Sequence, residues 1–85
     1  MLSVFEVHLA PGADPESILT AGVKQETQAQ VMTFAEATKV GFQGLPGEGR
    51  DDVRLIAVAR RDAPWIMRAL ENNDAVAGFH VHEVG

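Results

Sequence analysis

The chain has no cysteine, no tyrosine and a single tryptophan. Without cysteine it has no disulfide, no thiolate metal ligand and no cysteine nucleophile, and this composition fits the reducing cytoplasm. No apolar run approaches the ~20 residues of a membrane-spanning helix. The N-terminus also lacks the basic, apolar and small-residue segments of a signal peptide. We therefore expect a cytoplasmic protein with no membrane partner.

Positive charge is scarce as well. The chain has seven basic and 12 acidic residues, which gives a net charge of −5. A protein of that sign repels a phosphate backbone unless basic side chains cluster locally. The densest basic group is Arg54, Arg60 and Arg61, which is too small to indicate a nucleic-acid partner.

The length of 85 residues and the hydrophobic content of 46% predict one folded domain over residues 1–85. A chain this short buries roughly two-thirds or less of its unfolded surface, so its stability margin is thin. Small domains commonly gain stability by oligomerising, and nothing else in this sequence replaces that. We expect the chain itself to be a partner, as a homodimer or a larger homo-oligomer.

Alternating and helical patterns predict most of the elements. Strict alternation over Leu2–Leu9 predicts a strand that has Phe5, Val7 and Leu9 on one face. Further strands are predicted over Val53–Arg60 and Ala75–Val84. Helix starts are predicted at Asp14-Pro15-Glu16 and at Asp62 to Pro64, each with proline near the first helical turn.

The segment from Glu26 to Phe42 supports two interpretations. Its residue types favour helix, whereas Met32, Phe34, Val40 and Phe42 fall on one strand parity. The first interpretation is a helix that ends near Ala29, followed by an extended or mixed run toward Phe42. The alternative is one long first helix, which leaves three strands in the sheet.

The first interpretation gives an α+β fold with the element order βαββαβ. This order predicts a ferredoxin-like split β-α-β domain, with an antiparallel sheet and two helices on one face. Its first and last strands are neighbours. The topology resembles that of PII-like and dimeric α/β-barrel proteins, with a loose likeness of Met32–Gln43 to the second strand of PII-type proteins. No diagnostic motif accompanies the likeness, so it implies a fold and not a function.

Strand parity predicts a polar and partly apolar second face of the sheet. We expect Ile56 and Val58 on that face beside Val4, and such a surface favours self-association. On this basis Ile56→Asp is expected to dissociate the oligomer.

All three histidines fall on strands. His8 follows Glu6 by two residues, and His80 and His82 are also two apart, so each pair points to one side of its strand. If the two strands are neighbours, at least one of the C-terminal histidines shares a surface with His8. Imidazole nitrogens bind zinc, copper and nickel, and they also serve as acids and bases near neutral pH.

The loop between Gly41 and Asp52 contains Gly44, Gly47 and Gly49, and we expect residues 43–51 to be mobile. It lacks the terminal Gly-Lys-Ser/Thr of a phosphate-binding loop. Arg50 at its end is a candidate contact for an anionic ligand, whereas the simpler interpretation is a plain connection between strands.

These observations favour a small homo-oligomeric binding or regulatory module with no chemistry of its own. Its candidate ligand residues are Glu6, His8, Arg50, His80 and His82. One alternative is an enzyme of the dimeric α/β-barrel kind that uses the sheet-face histidines. The other is a metal-binding protein that uses His8, His80 and His82. The sequence identifies no cofactor, and it leaves a small ligand and a protein partner equally open.

Overall fold

The computed structural model describes residues 2–41 and 51–84. Two short 3-10 helices occur in these ranges, Pro15–Ser17 and Arg60–Asp62. The main elements are β1 (Leu2–Leu9), α1 (Ala21–Thr27), β2 (Gln30–Met32), α2 (Phe34–Lys39), β3 (Val53–Ala59), α3 (Ala63–Glu71) and β4 (Val76–Val84). The predicted mobile loop over residues 43–51 falls outside the described residues except for Asp51. None of the helices in these ranges is long and apolar enough to cross a membrane.

The four strands form one antiparallel sheet in the order β2-β3-β1-β4. The fold is therefore α+β, as the sequence predicts, and it is compatible with a ferredoxin-like arrangement. The first and last strands are neighbours, and β4 lies at one edge of the sheet. The alternative with three strands and one long first helix is wrong, because Gln30–Met32 pairs with β3.

The main core lies between the sheet and helices α1 and α3. Phe5, Val7 and Leu9 of β1 pack there, since alternate residues of a strand point to one face. The side chains that join them from other elements include Ile18, Leu19, Ile56, Val58, Ile66 and Leu70. The expectation that Ile56 and Val58 face the opposite side is wrong. The register places Ile56 directly opposite Phe5, and Val58 opposite Ser3, so both share the face of the main core.

A second, smaller core lies on the other face of the sheet. Val4, Met32 and Leu55 pack there against Ala37 of α2. The expectation that helices cover one face only is therefore wrong, because α2 covers the β2–β3 half of the second face. The β1–β4 half of that face carries the histidines.

Capping residues explain how the chain divides the ambiguous segment. Thr33 accepts a hydrogen bond from the Glu36 backbone, and the Glu36 carboxylate accepts one from the Thr33 backbone, which is a capping box. This box begins α2 directly after β2. Upstream, Asp14 caps only a 3-10 turn, and the α-helix begins later, with Thr20 as its N-cap. Gln28 ends α1 in the left-handed conformation, with φ 55°.

Asn73 fixes the turn between α3 and β4. Its amide nitrogen donates to the carbonyls of Ser17 and Ile18 at 2.8 and 3.1 Å, and its side-chain oxygen accepts from the Ala75 backbone at 2.9 Å. The turn that leads into β4 is thereby tied to a segment 55 residues earlier in the chain.

Candidate functional site

The register of β1 against β4 brings all three histidines to one side of the sheet. Glu6 lies opposite His80, and His8 lies opposite Gly78. His82 lies opposite Val4, which belongs to the α2 face. Strand parity predicts this shared placement. We call Glu6, His8, Gly78, His80 and His82 the histidine surface.

Glu6 is the buried centre of the histidine surface. Only 3% of the residue is exposed, although it is a carboxylate on a sheet face. His8 Nε2 donates to Glu6 Oε2 at 2.5 Å, and His82 Nε2 donates to Glu6 Oε1 at 3.2 Å. Each carboxylate oxygen therefore has one imidazole partner, which meets the requirement that a buried charge be hydrogen bonded.

Two opposing effects set the ionisation of Glu6. Burial raises the pKa of its carboxyl, since the charged form loses water. The hydrogen bonds from His8 and His82, together with the attraction of these rings when they are protonated, outweigh burial and leave the pKa below its ordinary value of 4.5. Glu6 is thus a carboxylate at neutral pH, and it holds the two rings in position.

His80 belongs to the surface in a different way. It is exposed, and its ring stands edge-on to that of His8, with centroids 6.1 Å apart. It lies directly opposite Glu6, yet both carboxylate oxygens bond to His8 and His82 instead. His80 therefore contributes a ring next to the network rather than a third hydrogen bond to the carboxylate.

Gly78 leaves an open depression next to His8. The depression has a volume of about 380 Å³ and is lined by His8, Ala77, Gly78, Phe79 and His80. A Cβ atom added at Gly78 meets no other atom within 4 Å, so a side chain at this position would project into open space. Gly78 is not among the candidate site residues predicted from the sequence. A glycine inside an otherwise β-favouring strand was the available signal, because it marks a close approach or an open place.

The tautomers of the two rings follow from their partners. A neutral imidazole that donates through Nε2 keeps a lone pair on Nδ1. Within residues 2–41 and 51–84, no hydrogen bond engages Nδ1 of His8 or His82. Their side chains are 24% and 29% exposed, so water and small molecules reach these rings. Both Nδ1 atoms can accept a hydrogen bond from a ligand.

The remaining site predictions have separate outcomes. Arg50 lies outside the described residues. Among the residues that the structure describes, no group of three or more His, Cys, Asp or Glu side chains is arranged to hold a metal ion. The Nε2 atoms of His8 and His82 point at the Glu6 carboxylate, which leaves only their Nδ1 atoms for any other ligand.

Comparisons of the chain with protein-family models, with curated proteins and with solved structures found no match.

Proposed function

We propose that this chain is a small homo-oligomeric module that binds an uncharged polar molecule at the histidine surface. The observation that carries the proposal is the buried carboxylate of Glu6, which holds two partly exposed imidazoles by hydrogen bonds of 2.5 and 3.2 Å. A buried charge is costly, and a plain surface has no need of one. Such a carboxylate fixes the tautomer and orientation of the groups around it.

The ligand chemistry follows from the free nitrogens. Neutral Nδ1 atoms accept hydrogen bonds, so they suit a molecule that carries hydroxyl or amide N–H groups. The depression next to Gly78 offers about 380 Å³ beside one of these rings. This volume lies at the lower end of the range for small-molecule sites, roughly 300–1,000 Å³. The site suits a small polar molecule.

The fold assignment belongs to the same proposal. The sheet order reads β4-β1-β3-β2 from the histidine edge, and α1 and α3 both pack on the main core. These features support a ferredoxin-like split β-α-β domain, to which α2 is an addition on the opposite face. The cytoplasmic location, the regulatory role and the lack of a nucleic-acid partner remain predictions from the sequence.

The test is NMR of the histidine side chains in the presence of small probes. The probes are uncharged hydroxyl- and amide-bearing fragments such as glycerol and acetamide, with inorganic phosphate and zinc chloride tested separately. We expect at least one uncharged fragment to shift the Nδ1 resonances of His8 and His82. Signals that respond to zinc alone would replace this proposal with metal binding, and signals that respond to no probe would overturn it.

A matched pair of glycine variants locates the binding. Gly78→Ala places a methyl group in the depression, whereas Gly22→Ala adds the same methyl group at the start of α1, where only Thr20 Oγ1 lies within 4 Å. We expect Gly78→Ala to weaken fragment binding at least tenfold and Gly22→Ala to leave it unchanged. Equal affinities for the two variants would place the binding elsewhere.

An enzyme is the second candidate, and one observation favours it. A carboxylate that holds an imidazole by one nitrogen, while the other stays accessible, is the arrangement of a general base. Against it, the depression is open, and catalysis needs a site from which water is excluded. Incorporation of solvent deuterium into a bound carbonyl fragment would favour the enzyme, and its absence would favour the binding module.

A further inference from the structure

The outer side of β4 is a strand edge that nothing in the described chain covers. β4 has β1 as its neighbour on one side, and it closes the sheet order at that end. Its nine residues, Val76–Val84, make it the longest strand described. An edge of this kind presents unpaired backbone N–H and C=O groups, which are a template for another strand.

Hydrogen-bond parity identifies the outward backbone groups. The Leu9 backbone N–H donates to the Asp52 carbonyl at 2.7 Å, so the odd-numbered residues of β1 bond toward β3. The even-numbered residues of β1 therefore bond toward β4, where their partners are also even-numbered. The backbone groups that point away from the sheet thus belong to Phe79, Val81 and Glu83, whereas Ala77 lies at the register shift opposite His8 and Leu9.

Beyond a register shift at its first residues, Val76–Gly78, this edge lacks the usual guards against pairing. Proteins protect edge strands with lysine, proline, bulges or inward charges. Between Val76 and His82 the strand has no proline and no Lys, Arg, Asp or Glu. Among the described residues of this edge, Val81 is the one large apolar side chain that is exposed, at 37%. Glu83 is the first charged residue and lies near the end of the strand.

We propose that β4 pairs antiparallel with β4 of a second copy, so that each copy completes the ligand site of the other. This inference rests on the proposed function for the role of the site, but not for the pairing itself. Full overlap of the nine residues places the two-fold axis at His80. Away from the register shift, the pairing forms about four backbone hydrogen bonds, between Phe79 of each copy and Val81 of the other.

The register has a direct consequence for both faces. On the helix side, Val81 lies opposite Phe79 of the partner subunit, and this contact covers the exposed valine. On the other side, Gly78 lies opposite His82 of the partner subunit. The open depression, which His8 and His80 already line, thereby gains a third imidazole from the partner subunit.

A second copy suits this edge better than face-to-face stacking of two sheets. Helix α2 stands on the histidine face and buries Ala37 against it, so two such faces cannot meet flat. Edge pairing keeps α1 and α3 of both copies on one side of a continuous eight-stranded sheet. It also leaves the histidine surface open to a ligand.

The absence of cysteine gives a clean cross-linking test. In the proposed register the two copies of residue 80 form a non-hydrogen-bonded pair with Cα atoms about 4.5 Å apart, which is within the disulfide range. His80→Cys is therefore expected to form a disulfide-linked dimer on mild oxidation. The Gly78→Cys and His82→Cys proteins, each oxidised alone, should stay unlinked. In this register the same residue of the partner subunit lies four positions away along the strand.

A mixture of these two single-cysteine proteins tests the register. Gly78→Cys and His82→Cys proteins, mixed and oxidised, are expected to form a heterodimer in most of the chains. A failure of His80→Cys to cross-link, or self-linking of Gly78→Cys at the same rate, overturns the proposal. Cross-linking of the mixture, together with a wild-type protein that binds no fragment, would leave the pairing intact and overturn the proposed function instead.

Light scattering on the wild-type protein, which has no cysteine, tests the pairing independently. We expect the wild type at tens of micromolar to have twice the chain mass of 9.1 kDa. Val81→Lys places a charge on the edge strand, which opposes pairing, and should halve that mass. Val40→Lys, at a valine that is 61% exposed beyond α2, should not change it. Equal masses for all three proteins would contradict the pairing.

Discussion

Replacing Glu6 by glutamine tests the buried network directly. The substitution keeps the shape of the side chain and removes its charge. Glu6 makes two hydrogen bonds to imidazoles, and only 4% of its side chain is exposed. In the variant, one amide oxygen accepts from one ring, whereas the amide N–H₂ must find an acceptor on the other. At least one of the rings must change its tautomer.

The magnitude follows from the number of charged hydrogen bonds. Hydrogen bonds to a charged group contribute about 1.5–3 kcal/mol each, and glutamine retains weaker neutral ones. We expect Glu6→Gln to lower the free energy of unfolding by about 1–3 kcal/mol at pH 7. The total for a small domain is only about 5–15 kcal/mol, so the effect is a large share of it.

The pH dependence has a defined sign. The pKa of Glu6 in the folded protein lies below its ordinary value of 4.5. The ionised carboxylate therefore adds stability that is present above that ordinary value and is lost as the pH falls through the lower folded pKa. The difference between wild type and Glu6→Gln should hold down to about pH 5 and shrink below it.

Urea unfolding at several pH values measures this difference. Glu16→Gln is the matched control, because the Glu16 side chain is 85% exposed and lies 4.0 Å from Lys24. A surface pair of this kind contributes little, so the control should stay within about 0.5 kcal/mol of wild type. An unchanged stability of Glu6→Gln at pH 7, or a difference that grows below pH 4, would refute the reasoning.

Two further substitutions test the packing. Ile56→Asp should unfold the monomer rather than dissociate an oligomer, because Ile56 is fully buried under the helices and an unpaired carboxylate there costs about 4 kcal/mol or more; a folded monomer by circular dichroism would contradict this. Asn73→Ala should cost about 2–3 kcal/mol, since it removes three hydrogen bonds, two of them to a distant segment. Asn72→Ala, which loses one exposed hydrogen bond to Arg68, should cost less than about 1 kcal/mol in the same thermal melts. Equal melting temperatures for the two alanine variants would count against the role of Asn73.

Much of the sheet could be predicted from alternation alone. β1 has polar and apolar residues on opposite faces, and its parity correctly placed Glu6 and His8 together. The edge position of β4 follows from the predicted strand order. The shared surface of His8 with His80 and His82 needed only this order and the two-residue period of a strand.

The register of β3 could not be predicted in the same way. Val53–Ala59 is apolar on both faces, so its pattern does not say which residues meet the helices. A shift of one residue exchanges the two faces, and Ile56 ended on the opposite side from the one expected. By contrast, the capping box of Thr33 and Glu36 is a sequence pattern that indicates the start of α2.

The burial of Glu6 also could not be predicted from the sequence. Alternation placed this carboxylate on the polar face, where exposure is the ordinary expectation. Its burial depends on contacts across strands, since His8 and His82 cover it from its own strand and from β4. Long-range register, and not local composition, turns a polar face into a closed hydrogen-bond network.

The most direct test of the central claim is the protonation state of Nδ1 in His8 and His82. Nitrogen-15 spectra of the histidine side chains distinguish a bare ring nitrogen from one that carries hydrogen. The proposed binding surface predicts bare Nδ1 atoms in both rings at neutral pH, with resonances that shift when an uncharged polar fragment binds. A proton on Nδ1 of either ring, or resonances that ignore every such fragment, would contradict it.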